Sequence, residues 1–133
     1  MSNNTRDFDS EARFWDENPG RVKMARSVAD SIKANAVITD QLNVLDFGCG
    51  TGLLTLQFQP LVKTITGADS SQGMLDILAS KIENLGLNNV RIIYMENGNT
   101  GRLTGYYDLI VSSMTLHHIK DTALLLVKFF EIL

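Results

Sequence analysis

The chain has 133 residues, 44% hydrophobic and 20% charged, which suffices for one core and one domain. Its formal net charge of −3 offers no basic field for nucleic-acid phosphates, and no apolar run approaches the ~20 residues that cross a bilayer, so neither class of partner is expected. The single cysteine, Cys49, cannot form an internal disulfide, and the opening MSNNTRDFDSEARF is polar and acidic where a signal peptide is basic and then apolar; both predict a reducing, cytoplasmic setting.

Residues 1–20 read as a loose arm or lid, polar but carrying Phe8, Phe14 and Trp15, and broken by ENPG at Glu17 to Gly20. From Arg21 the spacing of Val22, Ala25, Ala29, Ile32 and Ala36 predicts a helix to about Asn35. Asn43 to Phe47 predicts a first strand that runs directly into Gly48, Gly50 and Gly52. Leu53 to Phe58 then predicts a short helix stopped by Pro60. Lys63 to Ala68 reads as a second strand ending at Asp69. Ser71 is placed to cap a helix with Met74, Leu75, Leu78, Ile82 and Leu85 on one side, and Gly86 to end it. A third strand is expected over Val90 to Met95, then turns through NGNTGRLTG, and a fourth over Tyr107 to Ser112. After MTLHHIK a last helix is expected from about Thr122, capped by Asp121. Strands alternating with helices predict an α/β domain over residues 21–133, a Rossmann-like doubly wound parallel sheet with helices on both faces.

In such a sheet ligands bind beyond the carboxyl ends of the strands, where the three glycines lie. Their number in five positions predicts that something approaches the main chain closely. Gly48 and Gly50 would let backbone N–H groups face an anionic group of a ligand at a helix start. Asp69, about twenty residues on, is placed to accept hydrogen bonds from two ribose hydroxyls. Glu96, with Asn97 beside it, ends the third strand and suits the exocyclic amine of an adenine. The dinucleotide fingerprint G-x-G-x-x-G is not met, because the spacing is G-x-G-x-G with Leu53 at the sixth position. A nicotinamide-dinucleotide site therefore stands as the alternative, beside a non-catalytic partner that uses the fold as a scaffold for association; for the glycines alone, the plain reading is an ordinary strand-to-helix turn.

Taken together, VLDFGCGTG, the D-S-S after the second strand, the ME-N after the third and DLIVSSMTLHHI resemble the class I S-adenosylmethionine-dependent methyltransferases, in particular their small-molecule branch. The resemblance implies strand order 3-2-1-4, S-adenosyl-L-methionine as cofactor, S-adenosyl-L-homocysteine as product and no metal. It implies that Asp46 helps hold the amino group of the methionine moiety, directly or through water, with that moiety against Gly48, Cys49 and Gly50. It further implies that Asp69 binds the ribose, Ser70 and Met74 border the adenine, Glu96 stands where an aspartate is more usual with Asn97 next to it, and Ser112 lines the sulfonium region. Transfer of the methyl group to a nucleophile on a small molecule is the activity implied.

His117 is a candidate general base because imidazole titrates near neutrality, although a histidine pair between a strand and a helix more often orders the loop. Cys49 reads as a small residue that the turn needs rather than as a nucleophile. Family members continue into three further strands, so the sheet is expected to be incomplete. A homodimer through the fourth strand or the apolar last helix is expected in consequence.

Overall fold

A computed structural model describes residues 8–112 of the chain. Four parallel strands, β1 (Asn43–Phe47), β2 (Thr64–Asp69), β3 (Val90–Tyr94) and β4 (Leu109–Val111), form one sheet in the order β3-β2-β1-β4. The α/β class and the strand order expected from the sequence are both present. Among the described residues the α-helices are α1 (Phe8–Glu11), α2 (Pro19–Asn35), α3 (Thr55–Phe58) and α4 (Gln72–Leu85). The helix expected after Thr122, and with it His117 and His118, lies outside the described residues.

Alternation along the strands sorts the core. Val44 and Ile65 face α2 and α3, packing with Ala29, Leu54, Phe58 and Val111. Farther along the same face, Ile92 and Tyr94 meet Cys49, Leu75 and Leu78 beneath α4. Leu45, Phe47 and Ala68 point the other way, where Met95, Leu103 and Tyr107 from the segment after β3 cover them. Asp46 follows Val44 by two residues and so falls on an apolar, helix-covered face; it is 1% exposed.

Several boundaries move for local reasons. ENPG ends a short 3-10 helix, Ala12–Glu17, as expected and also starts the next helix: the Asn18 side chain accepts from the Gly20 N–H at 2.8 Å and Pro19 occupies the first turn, so α2 begins ahead of Arg21. Ser71 caps α4 by accepting from the Met74 N–H, and Gly86 ends it at φ +64° with the Leu87 N–H reaching the Ile82 carbonyl. Leu85, expected on the packed side of α4, is 63% exposed, and the packed stripe ends with Ile82. The fourth strand is shorter than expected, and its entry is pinned where Asp108 Oδ2 accepts from the Asn43 N–H at 2.7 Å.

The described part of the arm, residues 8–20, is docked on the domain. Asp9 Oδ1 accepts from Ser71 Oγ and, at 2.7 Å, from the Gly73 N–H, which puts a carboxylate on the N-terminus of α4. Asp16 accepts from Thr51 Oγ1 and pairs with Lys81, and Arg21 lies 3.6 Å from the centre of the Trp15 ring. Phe14 is 55% exposed.

Gly52 shows that one close approach inferred from the glycines is internal to the protein. Its φ is +88°, and a Cβ there would stand 2.4 Å from Leu78 Cδ1, in the core under α4. Gly52→Ala is expected to destabilise the chain by about 2–4 kcal/mol, the sum of left-handed strain and overpacking. Chemical denaturation measures this, and Leu78→Ala in the same chain should return only the packing part.

Candidate functional site

The site is built from the tips of β1, β2 and β3 and the loops that follow them. Gly48, Gly50 and Gly52 all have positive φ, so the chain after β1 turns three times in a way that other residues resist. This coil returns the loop onto β2: the Gly48 and Cys49 N–H groups donate to the Ala68 carbonyl, at 2.7 and 3.0 Å, and the Gly50 N–H donates to Asp69 Oδ2 at 2.8 Å. The expectation that these N–H groups face an anionic ligand is therefore corrected. They are used by the fold, because the loop closes on its neighbouring strand.

Asp69 is the hub. Its Oδ1 accepts from the Ser71 N–H at 2.8 Å while Oδ2 holds Gly50, so one carboxylate ties the loop after β1 to the loop after β2. Burial raises its pKa; the N–H groups of Ser71, Gly50 and Ser70 oppose that, and Asp9 raises it further. Asp46 is more strongly affected. Burial pushes its pKa up to about 7, opposed by the Thr55 hydroxyl and aided by the charge of Asp69. Thr55 Oγ1 donates to Asp46 Oδ2 at 2.7 Å, whereas Oδ1 is buried with no hydrogen-bond partner among the described residues. Burial, with Asp46 and Asp69 nearby, also pushes the Cys49 thiol well up, which leaves it an inert, compact filler against Gly67.

The remaining expected residues sit around this centre. Met74 is buried with its sulfur close below Gly50, so it forms the floor of the loop. Ser70 is exposed at the tip of β2. The Met95 N–H donates to the Asp69 carbonyl at 2.8 Å, which ties the tip of β3 to that of β2 and sets exposed Glu96 and Asn97 just beyond. Asn97 adopts φ +53°, a left-handed conformation that asparagine tolerates better than most residues and that often marks functional turns. Ser112 Oγ donates to the Phe47 carbonyl at 2.8 Å, linking the ends of β4 and β1. A cavity of about 410 Å³ borders the cluster on its outer side, lined by Gln72, Leu75, Ile92, Ile93, Tyr94 and Arg102. It adjoins the tips, since Tyr94 is the register partner of Asp69, but it includes none of the expected site residues.

Three participants escaped sequence reasoning. Thr55 had a signal, a hydroxyl nine residues beyond the strand-end aspartate at the start of a helix. Asp9 and Asp16 had none, because nothing local marks which arm residue will reach α4. Electrostatically, Asp9, Asp69 and Asp46 form a chain of carboxylates along the loop. Lys81, which donates to the Thr51 carbonyl, is already paired with Asp16. Such a site suits a cationic group and disfavours a pyrophosphate.

The sequence model of a family described as a methyltransferase domain matches residues 44–133. An uncharacterized methyltransferase of Schizosaccharomyces pombe is 34% identical over 87 residues, 60% of this chain and 31% of that protein. One of Oceanobacillus iheyensis is 35% identical over 92 residues, 69% of this chain and 41% of that protein. The chain thus spans between 31% and 41% of the length of these relatives. Among solved structures, a Methanococcus maripaludis protein assigned as an S-adenosyl-L-methionine-dependent methyltransferase superposes with a TM-score of 0.81 at 26% identity, over all of this chain and 63% of that one.

Proposed function

Since the chain belongs to the class I S-adenosylmethionine-dependent methyltransferase family, we propose that the carboxylate-lined loop binds S-adenosylmethionine and takes part in methyl transfer to a small molecule. The observation that carries this reading is the pairing of a glycine loop, tied to β2 through its Gly48, Cys49 and Gly50 N–H groups, with Asp46 and Asp69 beside it. When bound, the cofactor supplies a methyl group already activated on a cationic sulfonium, with S-adenosylhomocysteine as the product.

The fit rests on Asp46. A carboxylate oxygen buried without a donor is costly, and a cationic amino group, directly or through one water, is what it lacks. Asp69 holds the ribose hydroxyls through the lone pairs that Gly50 and Ser71 leave available. Gly48, Cys49 and Gly50 give the methionine moiety a surface without bulky side chains. Met74 and Ser70 border the adenine, Glu96 and Asn97 take its amine, and Ser112 closes the sulfonium end. The chain's part in catalysis is then to position and to exclude water, which can supply ~7–11 kcal/mol when reacting atoms are aligned. A small-molecule acceptor and a cytoplasmic setting agree with the acidic balance and the single cysteine; no helix among the described residues is long and apolar enough to cross a membrane.

The dinucleotide alternative draws less support, because a pyrophosphate needs free N–H groups and no nearby anion, whereas the Gly48, Cys49 and Gly50 N–H groups are committed to β2 and two carboxylates flank the loop. Thermal shift separates the two. S-adenosylhomocysteine at a hundred times its dissociation constant should add about 2.7 kcal/mol, a rise of several degrees, and NAD should add nothing. A shift with NAD alone would reverse the assignment, and no shift with either would favour a scaffold.

A further inference from the structure

We propose that Thr55 is a positioning residue for Asp46: its hydroxyl grips one carboxylate oxygen and thereby reserves the other for a cationic group of the ligand. The inference rests on the reading of the site given above and goes beyond it by assigning a role to a residue at the start of α3. Thr55 is fully buried, flanked by Leu54 and Phe58 in the apolar layer under α2. A hydroxyl in such surroundings needs a partner. Its partner is Asp46 Oδ2, at 2.7 Å and nine residues back in the chain.

The division of labour between the two oxygens follows. Oδ2 has its donor from the fold, and Oδ1 has none among the described residues. A carboxylate held by neither oxygen could swivel, and its charge would not be aimed. With Thr55 donating to one side, a cation or a proton is left only the other. The groups that face Asp46 are Asp69, from β2, whose charge opposes ionisation, and the Cys49 thiol from the glycine loop. Neither donates to it, so Thr55 is what favours its charged form, chiefly through the hydroxyl and to a smaller extent through its backbone N–H, which every side-chain variant retains. Valine has almost the same shape as threonine and lacks only the hydroxyl, so the packing of this apolar layer, Leu54 and Phe58 with Ala29 and Val44, is largely kept while the hydroxyl's grip is lost.

The test measures binding of S-adenosylhomocysteine and of adenosine, which has no amino-acid cation, by calorimetry on the full chain carrying Thr55→Val, Thr55→Ala or Thr55→Ser. The Asp46 carboxyl is also titrated by NMR without ligand. Thr55→Val and Thr55→Ala are each expected to weaken S-adenosylhomocysteine about tenfold or more, the scale of a lost charge-assisted bond. Both should leave adenosine within about twofold and move the Asp46 midpoint upward. Thr55→Ser, which keeps the hydroxyl, should restore affinity and midpoint. Unchanged S-adenosylhomocysteine binding in Thr55→Val, or an equal loss for adenosine, overturns the positioning role alone. A wild-type chain that binds neither compound overturns the nucleoside reading and this inference with it.

Discussion

Asp46→Asn is expected to make the ligand-free chain more stable at pH 8 while abolishing most of its affinity for S-adenosylhomocysteine. Burial holds the Asp46 carboxyl at a pKa of about 7 against an ordinary 3.8. A carboxyl whose folded value is raised contributes stability that is fully present below its ordinary value and is lost as pH rises through the folded value. The window here therefore runs from about pH 4 to above 7. At about 1.4 kcal/mol for each pH unit, keeping Asp46 ionised above that window costs the fold on the order of 4 kcal/mol. Asp69 is shifted the same way and adds to the trend. Asp9, held below its ordinary value by Ser71 and Gly73, acts in the opposite sense only at more acid pH. Melting temperature should therefore fall between pH 5 and pH 8 in the wild-type chain. In Asp46→Asn the slope should flatten, with a gain of about 2 kcal/mol at pH 8, because an amide unpaired on one side is less costly than a buried charge. Affinity should move the other way. A ligand cation that meets ionised Asp46 binds better as pH rises through 7 and displaces a proton below it. Calorimetry in buffers of different ionisation heat reads that proton directly. A pH-independent wild-type melting curve, or equal ligand affinity in the two proteins, contradicts the account.

Asp69→Ala should weaken S-adenosylhomocysteine by about a hundredfold. One lost charge-assisted hydrogen bond accounts for roughly tenfold or more. Asp69 does more than face a ribose, because its two oxygens also hold the Gly50 and Ser71 N–H groups, and those donors lose their partner when the carboxylate is removed. The loop after β1 then loses its tie to β2 at the point where the cofactor must lie, and both terms add. Asp69→Asn should fall between, since one amide NH2 must face an N–H donor where a carboxylate oxygen stood. Calorimetry at pH 8 on the two variants gives the ranking, and unaltered affinity in Asp69→Ala removes the residue from the site.

The parts of this protein legible in its sequence are those set by neighbours along the chain. The β-rich run Asn43–Phe47, the cap at Ser71, the stop at Gly86 and the D-S-S after β2 each depend on a few consecutive residues, and each holds in the structure. The same local logic located Asp46, Asp69, Glu96 and the three glycines at strand ends, as parallel β-α units require. Only the tertiary structure decided what those groups do before a ligand arrives. The loop N–H groups turn to Ala68 and Asp69, Gly52 makes room for Leu78, and the arm's Asp9 reaches α4 from 62 residues away. The pKa of Asp46 likewise depends on burial by α2, α3 and the sheet together, an environment that no stretch of sequence contains. Hydrogen-bond partners and dielectric are properties of packed surfaces, and packing joins residues that the chain keeps apart.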